Sequence, residues 1–346
     1  MQPVDGWHAT AVNQYDARMV GNAATPPGLA VYLDSAPADA HAGPSLLADR
    51  GFAVREAVAT DSAAVIAAGA GAMALLIGDS PVDAEAIAAL PDLRIVSTVT
   101  VGTDHIDLAA AAAAGIAVAH VPDAVTEEVA VSALALALGL IRHTDLLDRS
   151  VRAGGWDPFA TGPRHRPSTL TLGVVGAGRI GRRVADLAAP IFGHVLACDP
   201  AATIGPPAEA CDLDRLLRES DVVTLHAPGR AGAPPLIGAA ELAAMRPGSY
   251  LVNVARGSLV DTAAVVAALD EGRLAGVALD VLDAEPPAPD APIIAHPRAI
   301  VNPHAAFWSV DAEAAAYEHQ ARNVLAWLDA GAPLTPVPTA AQRGPR

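Results

Sequence analysis

An apolar run from Thr171 to Val175 halts at glycines and resumes as a helical pattern. The segment reads TLGVVGAGRIGRRVADLAAPI. Gly176, Gly178 and Gly181 stand at GxGxxG spacing, in the context of strand, tight turn and helix that gives this spacing a purpose. Gly176 permits the turn, Gly178 lets backbone approach a pyrophosphate, and Gly181 lets helix and strand pack closely. The new helix N-terminus offers N–H groups and a positive dipole end to phosphate. Glycine-rich turns also arise by chance in a chain with 29 glycines. A second feature narrows the reading. The next strand, HVLACDP, ends in Asp199, about 20 residues on, where an acidic residue accepts from an adenosine ribose. Pro200 rather than Arg follows it. A carboxylate there repels a 2′-phosphate, so NAD is favoured over NADP.

The same alternation runs through most of the chain. LAVYL, FAVREAV, MALLIG and LRIVSTVTV are apolar runs separated by Ala-rich stretches, and IDLAAAAAAGIAV repeats the pattern. Such alternation predicts parallel sheets with helical crossovers. A long helix is expected over 123–152, with Thr126 as its cap and Glu127 and Glu128 in its first turn. A second alternation starts at Leu170, and 311–329 reads as a terminal helix. The fold class is therefore α/β, with two doubly wound parallel-sheet domains, one of them Rossmann-like and one flavodoxin-like. Residues 1–28 carry no sustained periodicity and read as an N-terminal extension.

Composition excludes several functions. The net charge is −16, and all 22 basic residues are arginine. Without lysine there is no Schiff-base chemistry and no Walker-type phosphate loop. An acidic chain with no basic stripe is a poor ligand for nucleic acid. No apolar stretch is long enough to predict a membrane span, and the N-terminus lacks a secretory pattern. Cys198 and Cys211 make neither a disulfide framework nor a metal motif, so no metal is expected and a cytoplasmic location is.

Three chemistry-bearing residues follow predicted strands. Arg256 follows SYLVNVA, Glu285 follows VALDVL, and His304 follows AIV. Open α/β sheets place ligands beyond the carboxyl ends of their strands. An arginine fork can hold a carboxylate and polarise a carbonyl. A histidine can exchange a proton with the carbonyl oxygen, and a carboxylate on that histidine sets its tautomer.

In GAGRIG, the HAP segment at His226–Pro228, MRPGSYLVNVARGSLVD, AGVALDVLDAEPP and NPHAA, the chain resembles the D-isomer-specific 2-hydroxyacid dehydrogenases. The likeness is to the C-terminal-binding-protein-like and phosphoglycerate-dehydrogenase-like branch, and it runs from about Leu29 to Pro336. It implies hydride transfer between NAD(H) and C2 of a small (R)-2-hydroxy acid. It implies Arg256, Glu285 and His304 as the catalytic trio, with His304 as acid/base and Glu285 as its partner. Arg179 and Ile180, inside the glycine motif, join the cofactor shell with His226, Ala255 and Asp280, the last beside the nicotinamide. Backbone N–H groups around Val101, Gly102 and Thr103 would grip the substrate carboxylate, together with Arg256. The substrate domain would be discontinuous, 29–122 with 304–346, around an NAD-binding domain at 123–303. The 126–152 region resembles the segment through which family members form homodimers; core packing is the other reading of that helix.

Several residues depart from the family pattern. Thr100 stands where a glycine is common, which would narrow the carboxylate pocket. His105 replaces an asparagine and reads either as a second pocket group or, beside Asp104 and Asp107, as a structural residue. Gly229-Arg230-Ala231 follows the HAP segment in place of the usual Leu-Thr. Phe307 and Trp308 suit either an apolar pocket wall or packing. The resemblance to C-terminal-binding proteins also leaves open an NAD(H)-sensing interaction protein with little catalysis. The intact trio argues for the enzyme, since a pure scaffold need not keep it.

Overall fold

Alternating apolar runs need two covering layers each, and the chain supplies them around two parallel sheets. The computed structural model describes residues 27–33, 42–229 and 232–337. The expected extension lies almost wholly outside them, as do Arg230 and Ala231. The chain forms two units, one up to Ala124 and again from Val310, the other Val125–Ser309.

The first unit holds β1 (Leu29–Leu33), β2 (Ala53–Ala57), β3 (Ala72–Ile77), β4 (Ile95–Thr98) and β5 (Ala117–Ala119). Their order is β2-β1-β3-β4-β5, and every pairing is parallel. The period of two is plain in β1. Val31 and Leu33 enter one apolar core, while Ala30 and Tyr32 enter the core on the opposite face. Ala321 and Val324 of the helix Val310–Ala330 complete that second core, which is why the chain's last helix belongs to its first sheet.

The second unit holds β6 (Thr171–Val175), β7 (His194–Cys198), β8 (Glu209–Ala210), β9 (Val222–Leu225), β10 (Ser249–Asn253), β11 (Leu274–Leu279) and β12 (Ala299–Val301). The order is β12-β11-β10-β9-β6-β7-β8, again all parallel. Strand order reverses between β6 and β9, the point outside whose carboxyl ends open α/β sheets bind their ligands. Leu172 and Val174 share one apolar core with Val129, Ala133 and Ala137 of the helix Thr126–Arg142. Each fully buried leucine or valine contributes about 1.5–3 kcal/mol.

Short alanine-rich helices are started by aspartates. Asp61, Asp83, Asp107, Asp212 and Asp261 each accept an N–H from the first turn. Such a cap adds about 1 kcal/mol.

The structure differs from expectation at four places. The helix expected over 123–152 is two helices, Thr126–Arg142 and Thr144–Arg152, separated by His143 at φ +54°. The His143 ring reaches the Tyr250 hydroxyl at 3.1 Å, and this contact turns the chain. Thr126 does not cap: Val125 holds that position, and the Thr126 hydroxyl is buried without a hydrogen-bond partner. The run LRIVSTVTV is a strand only to Thr98, after which side chains bend the loop. Finally, the second unit extends past 303 to Ser309, because Asp280 binds the amides of Ala305 and Ala306, and Ser309 donates to Glu128.

Among the described residues, no single helix is long and apolar enough to cross a membrane. The pair Thr126–Arg142 and Thr144–Arg152 passes only jointly, across a 60° bend.

Candidate active site

In the second unit the glycines sit where the strand order reverses. Gly176 has φ +97°, and a Cβ there would lie 2.7 Å from the backbone nitrogen of Ala227. A Cβ on Gly181 would lie 1.9 Å from the Gly176 carbonyl oxygen. Only hydrogen fits at either position. Gly178 is the opposite case: a Cβ would meet nothing within 4 Å. Gly178 is also the N-cap of the helix Arg179–Ala188, and no side chain caps that helix. The turn is thus closed underneath and open above, at the start of a helix whose N-cap has no side chain to offer. These features fit a dinucleotide pyrophosphate.

Asp199 ends β7. Its carboxylate accepts from Ala177 N at 2.7 Å, Ala201 N at 2.8 Å and Ala202 N at 3.0 Å. Burial pushes its pKa up, but these N–H groups and Arg182 outweigh burial and hold it below the usual aspartate value. A carboxylate has about four acceptor positions, so one remains for a ribose hydroxyl. His226 follows β9, next to β6. Burial pushes its pKa down to about 3, so the ring is neutral, with Nε2 2.9 Å from the Thr224 hydroxyl.

The three chemistry-bearing residues follow three adjacent strands, β10, β11 and β12. Asn253 closes β10 and is fully buried. It donates to the Arg256 carbonyl and accepts from Ala255 N, so one side chain shapes the turn that carries Arg256. The Arg256 guanidinium donates to the Ala255 carbonyl at 2.7 Å. A Cβ on Gly257 would lie 2.0 Å from the Leu282 carbonyl, so the Arg256 turn packs directly on the loop leading to Glu285.

Glu285 and His304 are brought together. His304 Nδ1 lies 2.7 Å from Glu285 Oε2, and Glu285 Oε1 accepts from Leu282 N at 2.9 Å. A carboxylate only accepts, so Nδ1 carries the hydrogen and Nε2 is left for substrate. His304 has φ +53°, a conformation that costs a non-glycine residue about 1–3 kcal/mol and persists only where its surroundings impose it. Asp280 imposes it. Its backbone carbonyl accepts from His304 N, and its carboxylate, 1% exposed, accepts from Ala305 N and Ala306 N. The Phe307 ring stands edge-on to the imidazole at 6.2 Å.

In the first unit, the loop after β4 has an unusual distribution of hydrogen bonds. The carbonyls of four consecutive residues are engaged: Thr100 by Val121 N, Val101 by the His120 ring, Gly102 by the Thr100 hydroxyl and Thr103 by Ile106 N. The N–H groups of Val101, Gly102 and Thr103 have no partner among the described residues. Consecutive unpaired N–H groups are an anion-binding device. The Thr100 hydroxyl is bound within the loop, 2.6 Å from the Gly102 oxygen and 2.7 Å from the Thr98 hydroxyl. His105 turns to Thr98 at 3.3 Å, the structural one of its two readings.

A glycine-rich cofactor turn at a sheet's reversal point, with an Arg and a Glu–His couple on neighbouring strand ends, defines a nicotinamide-dependent dehydrogenase. Comparison with known proteins carries this further. The NAD-binding domain of the D-isomer-specific 2-hydroxyacid dehydrogenases matches residues 134–306. A glyoxylate reductase of Thermofilum pendens is 38% identical over 257 residues, 71% of this chain and 75% of that protein. The crystal structure of a glyoxylate reductase from Paecilomyes thermophila superposes with a TM-score of 0.82 at 29% identity, covering 90% of this chain and 99% of that one. The D-lactate dehydrogenase of Aquifex aeolicus, solved with NAD and lactic acid, gives 0.79 at 27% identity, over 87% and 95%. The chain belongs to the D-isomer-specific 2-hydroxyacid dehydrogenase family. It is an NAD-dependent oxidoreductase of small 2-hydroxy and 2-keto acids.

One supporting residue, Asn253, lies outside the sequence reading, and a second, Asp280, has a role beyond the one expected. Asn253 was visible only as a polar residue inside an apolar strand. Asp280 was expected beside the cofactor, and its hold on the His304 turn was not foreseen. Neither hydrogen-bonding role has a spacing that announces it.

Proposed function

We propose that this enzyme interconverts a short 2-keto acid of the glyoxylate or hydroxypyruvate kind with its (R)-2-hydroxy acid. The Glu285–His304 couple, formed across the ends of β11 and β12 beside the β10 end that carries Arg256, is the observation that carries the reading. Bound NADH supplies the hydride that reduces C2. Arg256 holds the substrate carboxylate and polarises the carbonyl. His304 delivers the proton at Nε2 to the carbonyl oxygen, while Glu285 holds the ring and fixes its tautomer. The amides of Val101, Gly102 and Thr103 hold the carboxylate. Asp199 accepts from the adenosine ribose and disfavours a 2′-phosphate. The discontinuous unit around β1–β5 serves as the substrate domain and Val125–Ser309 as the NAD-binding domain. The enzyme works in the cytoplasm as a homodimer. Exposed Val131, Val151, Trp156 and Phe159 supply apolar surface for the partner copy.

The test is NADH oxidation against glyoxylate, hydroxypyruvate, pyruvate, phenylpyruvate and 3-phosphohydroxypyruvate. Turnover of the short acids is expected. His304→Ala and Arg256→Ala should each lower kcat/KM at least 100-fold, the scale of acid–base catalysis, with NADH still bound. NADH binding without reduction of any acid would favour the NAD-sensing reading instead.

A further inference from the structure

The substrate loop is held by parts of the first unit far away in sequence. β5 is an edge strand, yet its edge is covered. Residues 335–337 lie antiparallel to it: Ala119 bridges Pro336, Val337 N donates to Val118 O, and His120 N donates to Thr335 O. His120 is the first residue past β5. Its Nδ1 lies 2.9 Å from the Val101 carbonyl, which can only accept, so Nδ1 carries the hydrogen. The backbone carbonyl of His120 is gripped in turn by the Thr335 hydroxyl and by the Asn323 amide at 3.2 Å. Asn323 is fully buried and accepts from Thr335 N at 3.0 Å, and His319 Nε2 lies 2.9 Å from the Thr335 hydroxyl.

We infer that His120 is a positioning residue for substrate, locked in place by a C-terminal clasp at Thr335. The physical reason is the peptide unit. Anchoring the Val101 carbonyl at His120 and the Gly102 carbonyl at Thr100 fixes the planes that carry the N–H groups of Gly102 and Thr103. Those donors are then oriented before substrate arrives, and binding does not have to order them. Without the His120 donor, the Val101–Gly102 peptide is free to rotate and the anion site loses its shape. The inference rests on the reading that these amides hold the substrate carboxylate.

His120→Phe keeps a flat ring of similar bulk and removes the donor. It should raise KM for the preferred 2-keto acid at least tenfold, with kcat within about threefold and NADH affinity unchanged, because ground and transition states lose the same grip. His120→Gln restores a donor and should bring KM back to within about threefold of wild type. The same assays use the amide of that keto acid, which lacks the carboxylate charge. Wild type should prefer the acid strongly, and His120→Phe should lose much of that preference. Thr335→Val cuts the clasp without touching the loop and should shift KM in the same direction by about threefold; it carries the test if His120→Phe fails to bind NADH. A wild type that prefers the acid, with His120→Phe and Thr335→Val of unchanged KM, overturns the role of His120 alone. A wild type indifferent to the charge overturns the loop reading and this inference with it.

Discussion

At the scale of single residues, the site is made of turns that side chains hold open. Asp280 pairs the buried amide of Ala306 and the part-buried amide of Ala305 next to His304 and so pins a histidine in the left-handed region. Asp280→Ala leaves the Ala306 donor buried and unpaired, at a cost of about 1–3 kcal/mol, while the part-buried Ala305 N–H can turn to water. We expect urea unfolding to show a loss of about 1–3 kcal/mol on that basis, with kcat/KM falling more than tenfold. Unfolding at wild-type denaturant would contradict the assignment. Asp199 makes a prediction in pH. Its pKa is depressed in the folded protein, so its ionised form and its three N–H bonds persist above the unfolded value of about 3.9 and are lost as pH falls through the lower folded value. NADH affinity should therefore hold flat from about pH 8 to pH 5 as far as Asp199 is concerned, and His226, already neutral, adds no step there. Asp199→Ala should weaken NADH and relax discrimination against NADPH in fluorescence titrations. Unchanged preference would remove the carboxylate from the ribose site.

At the scale of elements, the crossover from β6 to the helix Arg179–Ala188 depends on one missing methyl group. A Cβ at Gly181 would overlap the Gly176 carbonyl, so Gly181→Ala must push the helix away from the turn or distort the turn itself. Overpacking of this kind costs about 1–3 kcal/mol and here displaces the phosphate-binding amides as well. NADH affinity should drop at least tenfold in titration, while Gly178→Ala, with open space above it, should leave the thermal midpoint near wild type. Equal destabilisation by both variants would refute the distinction. The existence and type of most elements were legible from alternation, because strands buried on both faces must be apolar throughout. The break at His143 was not. Helical periodicity runs through that residue, and it is the hydroxyl of Tyr250, over 100 positions away, that receives its ring.

For the whole molecule, charge is the dominant collective quantity. At −16 the folded chain repels itself, although several carboxylates are engaged, aspartates at helix starts and others in exposed pairs such as Arg322 with Glu318. Raising salt from about 10 mM to 150 mM shortens the Debye length from about 30 Å to 8 Å and should raise the thermal midpoint by about 2–4 °C. A midpoint that falls over this range would mean that attractive pairs outweigh the net repulsion. The sequence by itself determined the parallel α/β class, the glycine turn with Asp199, and the positions of Arg256, Glu285 and His304 after strands, because periodicity and backbone sterics are local. Only the tertiary structure decided which strands adjoin. That adjacency unites Glu285 with His304 and joins Asp280 to the turn it holds. It also carries the last helix and Thr335 back to the first sheet, where they meet His120. Hydrogen bonds between residues hundreds of positions apart leave no period to read; they exist only once packing has brought their partners together.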